Sequence, residues 1–152
     1  LGRIDAVGTG ARKRGGTGAG MQKPAGISLG GQLYTGQNNL AGAIASLPTA
    51  SVSSGVARQL LEGASLHYLE EAAQAEGFGQ DCYYENGQLD SSTRAVFDNW
   101  LKIAAPQIAF AAVAGQAFLD TPVIIIDSSL SLELTKELVE AVKECVAHNY
   151  DN

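Results

Sequence analysis

A chain of 152 residues has room for one domain, which at this size buries roughly two-thirds of its extended-chain surface. Its 45% apolar and 17% charged content is that of a soluble globular protein, with no run of the roughly 18 apolar residues that a membrane span needs. The net charge of −6, from 10 basic and 16 acidic residues, argues against a cationic face that grips a nucleic-acid backbone.

Residues 1–26 are dense in glycine, and only Ile4 to Val7 reads as a strand, because such glycine content costs too much backbone entropy for a regular element. Arg12-Lys13-Arg14 sits in this stretch, either as a solvated loop or as an anion contact. Gly10 to Gly15 has phosphate-loop spacing, but Gly16-Thr17 follows where Lys-Ser/Thr is required, and Gly16-x-Gly18-x-Gly20 misses the dinucleotide fingerprint. The backbone amides of Gly16, Thr17, Gly18 and Gly20 could still form an anion-binding nest.

Ile27 to Leu29 and Gln32 to Tyr34 read as two short strands joined by Gly30-Gly31, a dipeptide suited to positive φ at both turn positions. The loop that follows carries Gln37, Asn38 and Asn39, then a small-residue turn (Ala41, Gly42, Ala43, Ala45) ending at Pro48. Asparagines placed after a hairpin serve either as turn residues that accept the left-handed conformation or as ligand contacts.

Residues 49–63 begin as a Ser- and Gly-rich loop, with a helical turn or two over Val56 to Glu62. A helix is expected over Ser65 to Glu76, with Leu66, Leu69, Ala72 and Ala73 as its apolar stripe and Gly77 as its stop. His67 on this helix reads as a surface or structural histidine before a ligand. Gly77 to Leu89 is a loop with Tyr83, Tyr84 and Asn86-Gly87.

Asp90 or Ser92 caps the next helix, whose face carries Val96, Trp100, Ile103 and Ala104. Pro106 is expected to kink or split it near Leu101 to Ala105. The alanine-rich part from Gln107 to Phe118 should be buried on most sides, and its small residues suit close helix packing or a tight interface. The run Val123-Ile124-Ile125-Ile126 reads as a parallel strand buried on both faces. A last helix spans Ser131 to Ala147 with Leu134, Leu138, Val142 and Cys145 as its stripe. The two cysteines, Cys82 and Cys145, match no metal spacing, and with no secretory pattern at the N-terminus the location expected is cytoplasmic.

Several of these stretches, in this order, resemble the ROK family (repressors, open reading frames, sugar kinases). Gly16-Thr17-Gly18-Ala19-Gly20 resembles its phosphate loop and Gly31-Gln32-Leu33-Tyr34-Thr35-Gly36 its hairpin. Ala41-Gly42-Ala43-Ile44-Ala45-Ser46 sits where its sugar loop, Ala-Gly-Glu-x-Gly-His, belongs. Residues 64–70 and 122–130 are similar to later family segments, nearest to the transcriptional-regulator branch. The resemblance spans roughly residues 16–148 and implies an α/β fold, the C-terminal lobe of an actin/hexokinase-like (ribonuclease H-like) three-layer α/β/α architecture. It treats 1–152 as a single domain, a glycine-rich loop region (1–26) followed by the lobe (27–152), and as one half of a longer protein.

The chemistry that the family's kinases need is altered at each matched position. The Glu and His of the sugar loop become Ala43 and Ser46, and the Gly-Gly pair after the central strand becomes Ser128-Ser129. Asp5 is the only carboxylate before the phosphate loop and lacks the family's surrounding motif, so no catalytic residue is assigned. The cysteine-rich zinc knuckle has no counterpart, so no metal and no zinc are expected. The resemblance therefore implies a sugar-sensing domain that binds a sugar or sugar phosphate near Gln37, Asn38, Asn39 and Ser46. DNA would be bound only through a separate N-terminal segment not in this chain. A homo-oligomer is implied, and no membrane partner and no cofactor are expected. The alternatives are an ATP-dependent sugar kinase, with ATP and Mg as its cofactors, and a structural domain that dimerises through the alanine-rich helix.

Overall fold

The computed structural model describes residues 3–8, 26–50, 57–85 and 88–150. The phosphate-loop residues Gly16, Thr17, Gly18 and Gly20, the Arg12-Lys13-Arg14 cluster, Asn86-Gly87 and the Ser51–Gly55 stretch lie outside them. The fold is mixed α/β, with β1 (Arg3–Gly8), β2 (Ile27–Leu29), β3 (Gln32–Tyr34), β4 (Pro48–Ala50), β5 (Ala57–Gln59), α1 (Leu60–Ala64), α2 (Leu66–Ala75), α3 (Ser91–Leu119), β6 (Val123–Ser128) and α4 (Leu132–Tyr150). Short 3-10 turns occupy Ile44–Ser46 and Asp81–Tyr83.

Three two-stranded sheets organise the strands. β1 and β6 run parallel, with Ile4 beside Ile124 and Asp5 beside Ile125. Parallel strands need a long crossover, and here the crossover includes α1, α2 and α3, while α4 follows β6. The β2–β3 hairpin is antiparallel in the expected register, and Gly30 (φ 59) and Gly31 (φ 78) supply the two positive-φ positions of its turn. β4 pairs antiparallel with β5 on either side of the Ser-rich stretch, where the sequence reading placed a loop and a helical turn. Ladder pairing between Pro48 and Gln59 is a long-range choice that no local period announces.

α2 starts at Ser65, whose Oγ accepts from the Tyr68 amide at 3.3 Å, and ends in a two-bond C-cap. Phe78 N donates to Ala73 O (2.9 Å) and Gly77 N to Gln74 O (3.0 Å), so the last carbonyls are satisfied as the chain turns. α3 begins at Asp90, the cap that the sequence left open between two residues. Asp90 Oδ1 accepts from Ser92 N (2.9 Å), Thr93 N (2.8 Å) and Thr93 Oγ1 (2.9 Å), and these bonds to its ionised form hold its carboxyl below the ordinary value.

Pro106 does not split α3. The helix is continuous from Ser91 to Leu119, since a single proline removes only one i→i−4 bond and the packing on both sides of it holds the rest. Its second half is also less covered than expected: Ala109, Ala111 and Ala112 are buried, but Phe110 and Leu119 are exposed and Phe118 is 88% exposed. Ile103 likewise faces out, whereas Trp100 and Ala104 face in. By length and composition α3 is the one helix among the described residues that could cross a membrane, a feature that the run-by-run reading passed over because of Pro106 and the glutamines.

The core lies where α3 and α4 pack together, with α2 and β1 closing its ends. Tyr83, Phe97 and Trp100 form an aromatic column, with centroids 6.4 and 5.7 Å apart. Leu130, from the turn before α4, and Leu134, Leu138, Val139, Val142 and Val146, from α4, fill it; Cys145, expected on the stripe, is only half-buried. Arg94 bridges α3 to α4 through a bidentate pair with Glu137 (2.6 and 3.1 Å) and also holds Asp98 (2.8 Å). Gly63 marks the closest approach of α1 to α3, because a Cβ there would meet the Gln107 amide at 2.2 Å. β6 is covered on one face only: Ile124 and Ile126 are half-buried, while Val123 and Ile125 (59%) are exposed. The expectation of burial on both faces fails because, among the described residues, β6 has β1 alone beside it and core helices on one side.

Tyr83 makes this core testable. Its hydroxyl is buried, donates to Thr93 O at 3.0 Å, and is pushed up by burial to about 12 from an ordinary 10.0. The fold therefore holds the neutral phenol: its contribution is complete below pH ~10 and is lost as the pH climbs from there toward 12. Absorbance titration should show one of the five tyrosines ionising late, together with alkaline unfolding. Tyr83→Phe should remove the late step and cost about 0.5–1.5 kcal/mol in chemical denaturation, the net worth of one hydrogen bond.

Candidate functional site

The residues proposed for sugar binding fall on the segment between β3 and β4, which is built almost wholly from short-range backbone bonds. Ala41 N donates to Thr35 O (3.0 Å) and closes the loop that presents Gln37, Asn38 and Asn39. Ala43 N donates to Leu40 O (3.1 Å), Ile44 N to Gly42 O (2.7 Å) and Ser46 N to Ala43 O (3.3 Å), which winds the chain into the 3-10 turn. Leu60 N then donates to Leu47 O (2.9 Å), tying the end of the segment to the start of α1. The loop is thus anchored at its exit to the helical body and at its entrance to a hairpin.

Gln37, Asn38, Asn39 and Ser46 are all exposed. The loop brings the first three together; Ser46 follows on the 3-10 turn beside Ala43, which is exposed and offers no functional group. Asn39 is at φ 56, one of two left-handed non-glycine residues among those described, and its amide donates to Gly36 O at 3.4 Å. That conformation is the turn role weighed for the asparagines, and it leaves the Asn39 side chain free to face solvent.

Exposed apolar side chains flank these amides in the chain, which the sequence reading did not include. Tyr34 is 50% exposed, Leu33 70% and Leu40 60%, all within a few residues of Gln37. A two-residue period in a three-residue strand carries too little information to show which side chains the core will leave uncovered.

The other candidates have structural work. Asp5 lies on β1, its carboxylate held by Arg3 Nε at 2.9 Å. His67 is exposed, with Nε2 3.3 Å from Glu71 one helical turn on. Glu70 receives the Tyr84 hydroxyl, and the Gln80 amide, turned to donate, reaches both Glu70 oxygens at 3.2 and 3.3 Å, so this carboxylate fastens α2 to the 3-10 turn Asp81–Tyr83. Ser128 Oγ accepts from Leu130 N (3.2 Å) and shapes the exit from β6. Burial pushes both thiols up, Cys82 and Cys145 alike, which disfavours the nucleophilic thiolate. Among the described residues no group of three His, Cys, Asp or Glu side chains is placed to hold a metal.

Comparison of the chain with protein-family models, with curated proteins and with solved structures gives no significant match.

The turn geometry predicts a contrast at Asn39. Asn39→Gly should leave the melting temperature nearly unchanged, since glycine takes positive φ freely. Asn39→Val should cost roughly 1–2 kcal/mol, the left-handed penalty for a residue with a branched Cβ. Thermal denaturation of the two variants checks this.

Proposed function

We propose that the chain is the effector-binding domain of a ROK-like transcriptional regulator, with the fold of an actin/hexokinase-like C-terminal lobe, that senses a sugar or sugar phosphate and does not phosphorylate it. What supports the reading is the loop after the β2–β3 hairpin, which resembles the family's sugar loop but carries Ala43 and Ser46 at the positions of its Glu and His. Phosphoryl transfer needs a carboxylate to receive the hydroxyl proton and a clamp for the phosphates. Asp5, the only carboxylate before the phosphate loop, lacks the family's surrounding motif; Ala43 and Ser46 do not reproduce the Glu and His that hold the sugar hydroxyls, and the Gly-Gly pair that admits adenosine is replaced by Ser128-Ser129.

The parallel β1–β6 pair with helices in its crossover, α4 against β1, and a hairpin opening onto a polar loop are compatible with the lobe that the resemblance implies. In this reading Gln37 and Asn38 hold hydroxyls from the loop, Ser46 contributes a hydroxyl from the 3-10 turn, and Tyr34 and Leu40 provide an apolar platform. DNA contact belongs to a separate N-terminal segment, in keeping with the acidic balance of this chain, and the protein works in the cytoplasm.

A thermal-shift panel of sugars and sugar phosphates, with and without ATP and magnesium, tests the proposal. A ligand that binds only the native state at 100 times its Kd stabilises by about 2.7 kcal/mol. The expected result is a shift with one class of sugar that is indifferent to ATP, reduced about tenfold in affinity by Gln37→Ala or Asn38→Ala, with the unliganded melting temperature unchanged. A shift with ATP and magnesium, and turnover of the sugar, would sink it in favour of a sugar kinase.

A further inference from the structure

The stretch that carries the polar loop has a second property, its charge. Between Lys23 and Arg58 the chain holds no charged side chain, so all 10 basic and 16 acidic residues lie elsewhere. The β2–β3 hairpin, the loop with Gln37, Asn38 and Asn39, the 3-10 turn with Ser46, and β4 all fall inside this neutral stretch. What the loop exposes is therefore amide and hydroxyl (Gln37, Asn38, Asn39 and Ser46), with the apolar bodies of Tyr34 and Leu40 near them in the chain.

Three of the described cations already serve carboxylates away from the loop. Arg3 holds Asp5, Arg94 holds Asp98 and Glu137, and Lys143 holds Glu140. Lys102 and Lys136 stand on α3 and α4. A phosphate monoester carries about −1.5 to −2 charges near neutral pH. Its tight capture uses Arg or Lys, whose charge-assisted bonds are roughly twice as strong as neutral ones. The loop segment brings neither, and the net charge of −6 adds a repulsive field. A sugar hydroxyl asks for something else. It donates and accepts at once, and so do the carboxamides of Gln37 and Asn38 and the hydroxyl of Ser46.

We infer that the ligand of this loop is an uncharged sugar, and that phosphorylated and acidic sugars are rejected. The inference rests on the reading that this loop is the binding site, and it decides between the two ligand classes which that reading left open. An anion that gives up water of hydration here meets neutral partners only, so its desolvation is poorly compensated. The same lack of carboxylates leaves a cationic amino sugar without an ion pair. Selectivity then comes from the charge that the segment withholds, which penalises the wrong ligand and leaves the right one untouched.

Calorimetric titration of the full chain with matched sets tests this, each set being a neutral hexose or pentose, its phosphate ester and its uronate. At least one neutral sugar should bind, with its phosphate and uronate at least about tenfold weaker. The affinity of the neutral sugar should not change with salt, nor across the range around pH 6 where a phosphate ester titrates. Gln37→Arg should move the preference toward the phosphate several-fold, most at low salt, a gain that damage to the loop does not produce. A phosphate or uronate that binds as tightly as its neutral parent, and is weakened by Gln37→Ala or Asn38→Ala, overturns the inference while the loop reading stands. Binding indifferent to both alanine variants, or no binding of any sugar, overturns the loop reading and this inference with it.

Discussion

Tyr83 ties together three segments that would otherwise meet only through apolar contact. Its ring stacks on Phe97, its hydroxyl donates to the Thr93 carbonyl in the first turn of α3, and its own carbonyl accepts from Ser131 N at the start of α4 (2.9 Å). A phenol can do this because its body is apolar and its tip is polar, so one buried side chain contributes packing area and also satisfies a donor. Once the beginnings of α3 and α4 are fixed against each other, their stripes meet along their length, and Arg94 and Glu137 close the outer edge of the same interface. Removing the aromatic column would cost about 3–5 kcal/mol per large side chain truncated, a large share of the stability of a domain this size.

The loop that carries the sugar-binding proposal is built in the opposite way. Apart from the Leu60 N to Leu47 O anchor, its bonds run between residues two to six apart, and the side chains of Gln37, Asn38, Asn39 and Ser46 are exposed. Local unfolding there opens few tertiary contacts, and binding loops are drawn from such low-stability regions. The helical body can therefore stay rigid while the loop adjusts to a ligand. Anchoring through Leu47 and Leu60 is the route by which an ordered loop could influence α1, and through Gly63 and Gln107, α3.

α3 has a covered side and an open one. The inner side needs bulk early (Phe97, Trp100) and small residues later (Ala104, Ala105, Ala109), where α1 and α4 approach closely. The outer side keeps Ile103 and Phe110 in water although burial of each would be favourable. Pro106 is tolerated because it faces outward and its ring meets no core side chain.

The sequence by itself determined what depends on neighbours a few residues away. Gly30-Gly31 dictated the hairpin and its register, Ser65 and Gly77 the ends of α2, Asp90 or Ser92 the start of α3, and the Val-Ile run the parallel strand β6. These follow from local backbone preference and caps, which act within one turn. The glycines proposed for a phosphate loop fall outside the described residues, and for sugar binding the sequence could name Gln37, Asn38, Asn39 and Ser46 as candidates but not show that Tyr34 and Leu40, near them in the chain, are exposed. Only the tertiary structure decided which apolar faces are covered. It paired β4 with β5 across the Ser-rich stretch, kept α3 whole through Pro106, left Val123 and Ile125 uncovered, and turned Ile103 and Phe110 outward. Burial is set by what packs against a residue from distant parts of the chain, and a periodic pattern of apolar side chains records only that a face is apolar, not whether this chain or another one covers it.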